Sequence, residues 1–174
     1  GGIGKTQVNI TLVPATGVAE FIPSGLFGNS VFVDTAATGS YAKTNGNIGQ
    51  SGTDAWFISL WVNRTDPHTD PAFLFGDSNT WPTYFSIKGS SNPSAVRINW
   101  AGADSGTLAA CFNSNGSAFN HVLWGQSAGR QLFYCDGTLL WNSTYSSKTI
   151  NEFRIGNQQY LDGESEINFD EMAV

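Results

Sequence analysis

Apolar and polar residues alternate with a period of two through most of this chain, the repeat of a strand that turns one face to a core. The stretch Ala55 to Arg64 shows it best. Trp56, Ile58, Leu60 and Val62 share one face. Phe57, Ser59, Trp61 and Asn63 share the other, which is half apolar. Such a strand is expected at the centre of a sheet, covered on both faces. The stretch Phe119 to Asn142 reads as strand, turn, strand, tight turn, strand. His121, Leu123 and Gly125 point one way, Val122 and Trp124 the other. Gly125 to Gly129 predicts a loop with glycine at both ends. Gln131 to Asp136 alternates again. Asp136-Gly137 is a strong hairpin signal, because glycine accepts the positive φ of a two-residue turn. Leu139 to Trp141 then returns.

Further strands are expected over 7–13, 18–22, 29–34, 40–43, 72–76, 84–88, 95–100, 107–112, 152–156 and 166–174, divided by turns rich in Gly, Pro, Asn and Ser. That makes about a dozen short strands and no helix. A chain of 174 residues suits one all-β domain over 1–174. With 107–112, 119–125 and 130–136 as a meander, Cys111 and Cys135 sit on strands separated by one other. Their spacing is then about 9–10 Å at ~4.8 Å per strand, beyond the ~7 Å reach of a disulfide. Two buried free thiols are therefore expected rather than the single bridge that two cysteines could form.

The stretch FNHVLWGQSAGRQLFYCDGTLLWNSTY resembles the signature hairpins of laminin-G-like domains of the concanavalin A-like jelly-roll superfamily. There an aromatic-x-His-Val strand precedes a Leu-x-Leu-Tyr-Val-Asp-Gly strand. Here Phe119 replaces the usual Trp, and Cys135 the usual Val. Ser30 to Asp34, Trp56 to Val62, Phe153 to Gly156 and Ile167 to Glu171 agree in order with other strands of that family. The resemblance covers roughly 28–174. It implies an all-β, two-sheet antiparallel jelly-roll sandwich. It is weak for function, because the fold hosts lectins, glycosidases, adhesion modules and viral structural domains.

Charge narrows the partners. The formal net charge is −6, and the eight Lys and Arg residues are scattered. Nucleic acid is not expected, since phosphate contacts need clustered cations. No apolar run reaches the ~18 residues of a membrane span. Gly1-Gly2-Ile3-Gly4-Lys5-Thr6 ends like a phosphate-binding loop, but it lacks the preceding strand and the full glycine spacing that the motif requires. The chain opens at Gly1 without Met, which suggests a processed chain or part of a longer one. Four Asn-x-Ser/Thr sequons occur, at Asn9, Asn63, Asn115 and Asn142. They matter only in a eukaryotic secretory route.

Glu166-Ile-Asn-Phe-Asp-Glu171 approximates the Glu-x-Asp-x-x-Glu strand of retaining β-glucanases, which share the resembled fold. Glu166 and Glu171 would be nucleophile and acid, but Asn168 stands where the middle carboxylate belongs. As part of a closing laminin-G-like strand, Asp170 and Glu171 are structural instead. His121 is expected to be a half-buried histidine bonded to a neighbour. Calcium would find oxygen ligands in Asp162 and Glu164, within Asp162-Gly-Glu-Ser-Glu166, and many relatives in the resembled family hold calcium at the sandwich rim. Aromatics beside turns offer flat rings for sugar C–H faces, with polar neighbours for the hydroxyls. Trp81 with Asp77 and Asn79, and Tyr160 with Asn157 and Gln158, have that composition. The expected function is a non-catalytic recognition or adhesion module for glycan, on a cell or virion surface. Its partner would be a glycan or a surface protein, and it would act within a larger or multimeric assembly. The alternatives are a virion-surface structural domain, such as a phage capsid decoration or tail-fibre module, and a glucanase.

Overall fold

The computed structural model describes residues 10–13, 18–25, 27–34, 41–44, 55–64, 72–77, 83–87, 95–100, 103–112, 118–144, 152–156 and 166–173. Within them the chain forms β1 (Ile10–Val13), β2 (Val18–Gly25), β3 (Gly28–Asp34), β4 (Tyr41–Thr44), β5 (Trp56–Arg64), β6 (Ala72–Asp77) and β7 (Thr83–Ile87). Then come β8 (Ala95–Trp100), β9 (Ala103–Ala110), β10 (Asn120–Ser127), β11 (Arg130–Cys135), β12 (Thr138–Thr144), β13 (Phe153–Gly156) and β14 (Glu166–Ala173). No helix occurs among the described residues, so none is long and apolar enough to cross a membrane.

Two seven-stranded antiparallel sheets result, with orders β1-β4-β13-β6-β7-β8-β9 and β12-β11-β10-β5-β14-β3-β2. The chain is a jelly-roll sandwich. Its core is the space between the sheets. Val31, Ile58, Leu60, Val62, Val122 and Phe169 fill it from the second sheet, and Ala42, Val96, Ile98, Phe153 and Ile155 from the first. An aromatic column crosses the layers. Trp56 meets Trp124 edge-on at 5.7 Å, and Trp124 lies 6.1 Å from Phe153 of the opposite sheet.

The centre of the second sheet is β5, as its alternation predicts. Its neighbours are β10, with His121 opposite Trp61 and Leu123 opposite Ser59, and β14, with Asp170 opposite Trp61. Trp56, Ile58, Leu60 and Val62 are buried as expected. The other face departs from expectation, since Phe57, Ser59, Trp61 and Asn63 are only half covered. Among the described residues no second layer sits on that side, and these apolar and polar side chains are half-buried.

The expected loop at 125–129 is shorter than predicted. Gly125, Gln126 and Ser127 continue β10, and only Ala128 and Gly129 turn, with φ of 50° and 73°. Gly125 is there for proximity rather than for a turn. A Cβ at that position would sit 2.0 Å from the Trp56 carbonyl oxygen and 2.8 Å from the Phe57 Cα. The Asp136-Gly137 turn forms as expected, with φ of 48° and 77°, the pair of positive angles that matches the twist of the flanking strands.

The expectation of free thiols is wrong. Cys111 and Cys135 form a disulfide, with Cα atoms 5.7 Å apart. The error lay in the assumed meander. The segment around Cys111 does not pair with β10. It follows β9, which pairs with β8 at the edge of the first sheet. Cys135 ends β11 in the second sheet, so the bridge runs between layers rather than across one sheet. Both cysteines are buried.

Candidate functional site

The half-covered face of the second sheet carries a cluster built from three strands and one turn. Trp61 and Ser59 come from β5 and His121 from β10. Phe27 sits in the turn between β2 and β3, and Asp170 comes from β14. Ser59 Oγ and His121 Nε2 are hydrogen-bonded at 2.8 Å. The two residues are diagonal neighbours, because Ser59 faces Leu123 and His121 faces Trp61. The imidazole thus leans along the strand to reach the hydroxyl and brings its ring within 5.0 Å of the Trp61 ring at 51°. On the other side Phe27 meets Trp61 edge-on, with centroids 6.0 Å apart. Phe27 is 58% exposed, although an aromatic side chain gains by burial.

Local chemistry holds each part in place. Asp170 is 7% exposed and acts as the clamp. Its Oδ2 accepts from the Phe27 N–H at 2.9 Å, and its Oδ1 from the Glu171 N–H at 2.8 Å. The first bond folds the β2–β3 turn back over the sheet, which sets Phe27 against Trp61. The second accompanies a bulge, where Glu171 takes a φ of 46° and the β14–β5 register shifts. Asp170 is therefore structural, tied to a loop as expected. Asp136 does the same for β10. Its carboxylate accepts from Asn120 Nδ2 at 2.7 Å and from the His121 N–H at 2.8 Å, while its own N–H donates to the His121 carbonyl at 2.8 Å. The tight turn thereby fixes the backbone that presents the imidazole.

The face continues beyond the cluster. Leu123 and Tyr134 are opposite each other, and Leu132 lies opposite Gly125, all on the same side as His121. Farther out Arg130 Nε donates to Asn142 Oδ1 across β11 and β12. The face is aromatic at its centre, with hydroxyl, imidazole, amide and guanidinium groups around it. A serine bonded to a histidine is also part of a nucleophilic triad. Here His121 Nδ1 has no carboxylate partner among the described residues, because Asp136 holds the His121 main chain and Asp170 holds two backbone N–H groups. The cluster sets aromatic rings beside hydrogen-bonding groups.

His121 is where the sequence places it, half-buried and bonded to a neighbour. Of the loop candidates, Asp77 ends β6 opposite Phe153. Trp81, Asn79, Tyr160, Asn157, Gln158, Asp162 and Glu164 lie outside the described residues. Among the described residues no group of His, Cys, Asp and Glu is arranged to hold a metal ion. Trp61, Ser59 and Phe27 escaped the sequence reading as site residues. The signal was present in the alternation Phe57, Ser59, Trp61, Asn63, which resembles neither a buried nor a purely solvated face.

No protein-family model and no curated protein matches the chain. Solved structures do. The chain is similar to the sialidase of Trypanosoma rangeli, with a TM-score of 0.65 and 13% identity over 95% of this chain and 27% of the sialidase. It is similar to the binding domain of botulinum neurotoxin serotype D, with a TM-score of 0.62 and 9% identity over 95% of this chain and 42% of that one. It is also similar to domain 4 of an extracellular arabinanase from Geobacillus stearothermophilus, solved with arabinotriose. There the TM-score is 0.60 and the identity 15%, over 96% of this chain and 83% of the other. The likeness is one of fold. The chain spans about a quarter of the sialidase and less than half of the toxin domain, and 83% of the arabinanase domain.

Proposed function

We propose that this domain is a non-catalytic glycan-recognition module of laminin-G-like kind that binds sugar on the half-covered face of its second sheet. One observation carries the reading: Trp61, His121, Ser59 and Phe27 form a shallow cluster in which exposed ring surface lies beside neutral hydrogen-bonding groups. A pyranose or furanose presents apolar C–H faces and a belt of hydroxyls, and such a surface matches both. The company of the fold supports it, since a domain solved with arabinotriose is among the neighbours. The inter-sheet disulfide fits an extracellular or cell-surface location, because such bonds persist in oxidising compartments. Single-site affinity on so shallow a face is weak, and the larger assembly expected from the sequence raises it by multivalency.

The test is a glycan array probed with the intact chain, with and without calcium, followed by titration of the best hit. Binding that disappears in Trp61→Ala supports the reading. An array without hits in both conditions removes it. Binding that needs calcium and survives Trp61→Ala moves the site to the carboxylates Asp162 and Glu164 as candidate ligands of the ion.

A further inference from the structure

Two cations stand side by side on the outer face of the first sheet. Ala42 and Thr44 of β4 and Phe153 and Ile155 of β13 turn into the core, so Lys43 and Arg154 turn outward. They are directly opposite each other, a placement in which like charges repel. Glu152, just before β13, holds both. Lys43 Nζ donates to its Oε2 at 2.8 Å and Arg154 Nε to its Oε1 at 2.9 Å. Among the described residues two cations thus share one carboxylate. The Arg154 guanidinium lies over the Tyr41 ring, 4.2 Å from its centroid, which holds the planar fork in one orientation. Nη1 and Nη2 of Arg154 meet no described acceptor, and neither is sealed from solvent. The open end of a guanidinium takes a carboxylate through two parallel hydrogen bonds. With 17% of the Arg154 side chain exposed, such bonds compete less with water than on an open surface.

The strand register puts this pair in a row. Thr11, Lys43, Arg154, Gly76, Tyr84 and Asn99 are successive opposite partners across β1, β4, β13, β6, β7 and β8. Directly opposed residues share a face, so the row crosses the sheet in one line. Gly76 stands on β6, the middle strand of the seven, and leaves bare backbone beside Arg154. Glycine inside a strand marks a place that another group can approach closely. No described strand lies over this side. The row ends at Asp104 on β9, about 19 Å from Arg154 at ~4.8 Å per strand.

From this arrangement we propose that the outer face of the first sheet is a second binding site, for an oligosaccharide of uronic acid units, with one sugar carboxylate on Nη1 and Nη2 of Arg154 and its ring over Gly76. Charge names the acid. The chain carries a net −6, and this spot presents paired cations with donors to spare, so an anion is attracted here and repelled elsewhere. The strands name the sugar. β13 and β6 lie inside the sheet and pair on both sides, so no added peptide strand can extend them. The ligand is recognised by side chains and bare backbone alone. A sugar ring lays a C–H face on the glycine and keeps its hydroxyls at the rim. Lys43, one strand from Arg154, supports the acid group through charge. The site is on the sheet opposite the Trp61 cluster and stands whether or not that cluster binds glycan.

Isothermal titration of the intact chain with hexuronate trimers (galacturonate, mannuronate and glucuronate) tests it. At least one trimer binds, its methyl ester does not, and added salt weakens the contact. Arg154→Gln lowers the affinity roughly tenfold or more. Arg154→Lys keeps the charge without the fork and recovers only part. Lys43→Gln leaves the fork in place and weakens binding less. Trp61→Ala leaves it unchanged. The ester and salt comparisons use the parent chain, and Lys43→Gln places the site on this face even where an Arg154 variant does not fold. The proposal is overturned if no trimer binds at low salt, if the ester binds as tightly as the acid, or if folded Arg154→Gln binds like the parent. A loss of binding in Trp61→Ala would move the acid to the other sheet. An oligoglutamate that binds as well as the best trimer would make the ligand an acidic peptide and overturn the sugar.

Discussion

Removing the bridge between the sheets is the sharpest perturbation of the fold. Cys111 and Cys135 are 24 residues apart in sequence. Closing a loop of that length takes about 3.5 kcal/mol of chain entropy from the unfolded state at 25 °C. The bridge also ties the segment after β9, at one edge of the first sheet, to β11, one strand in from the edge of the second. Both sulfurs are buried, so two serines in their place add a small polar penalty to the entropic one. For a domain of this size each kcal/mol moves the melting temperature by ~2–4 °C. The double variant Cys111→Ser/Cys135→Ser is therefore expected to melt about 7–14 °C below the oxidised parent. Urea unfolding of both proteins gives the free energy directly. The variant should also show a larger m-value, because its unfolded chain exposes more surface. Two titratable thiols in the oxidised parent, unfolded in denaturant, would refute the pairing. An unchanged midpoint in the double variant would refute the energetic argument.

Three further outcomes follow from close contacts. Gly125→Ala drives a methyl into the Trp56 carbonyl. It should destabilise the domain by about 3 kcal/mol or more, read by the same urea titration, whereas Ala128→Gly, at a positive φ, should be neutral or stabilising. Asp136→Ala removes the acceptor of the Asn120 amide and the His121 N–H and places alanine at a φ of 48°. It is expected to lose about 2 kcal/mol, with Asp136→Asn recovering part. Trp61→Ala takes away the central ring of the candidate site and should weaken glycan binding at least tenfold or so, with a much smaller loss of stability because that ring is not in the core.

The strands were legible because alternation is local. β5, β8, β10 and β11 lie within a residue or two of where the pattern of apolar side chains puts them, and the Asp136-Gly137 turn needs no tertiary context. Pairing was less legible. Nothing in residues 107–112 says that they belong to the other sheet, since a strand's sequence records which face is buried and not which neighbour it bonds. The misjudged thiols follow from that. Gly125 misled for a related reason. A glycine that makes room for a neighbouring strand looks, in sequence, like a glycine that makes a turn. The candidate site was hidden by its own position. Trp61 stands in the most apolar strand of the chain and reads as core. The sheet order shows that no layer of described residues covers it, and the Asp170 clamp brings Phe27, from a turn 143 residues away in sequence, over the same face.

Sugar is proposed to meet the half-covered face of the second sheet. Titrating isotope-labelled protein with the best array glycan and following amide, indole and imidazole resonances tests it most directly. Shifts are expected to concentrate at Trp61, His121, Ser59 and Phe27 and to fade towards Arg130 and Asn142. Shifts confined to the first sheet or to the loops around Trp81 and Tyr160, with Trp61 and His121 unmoved at saturation, would contradict it.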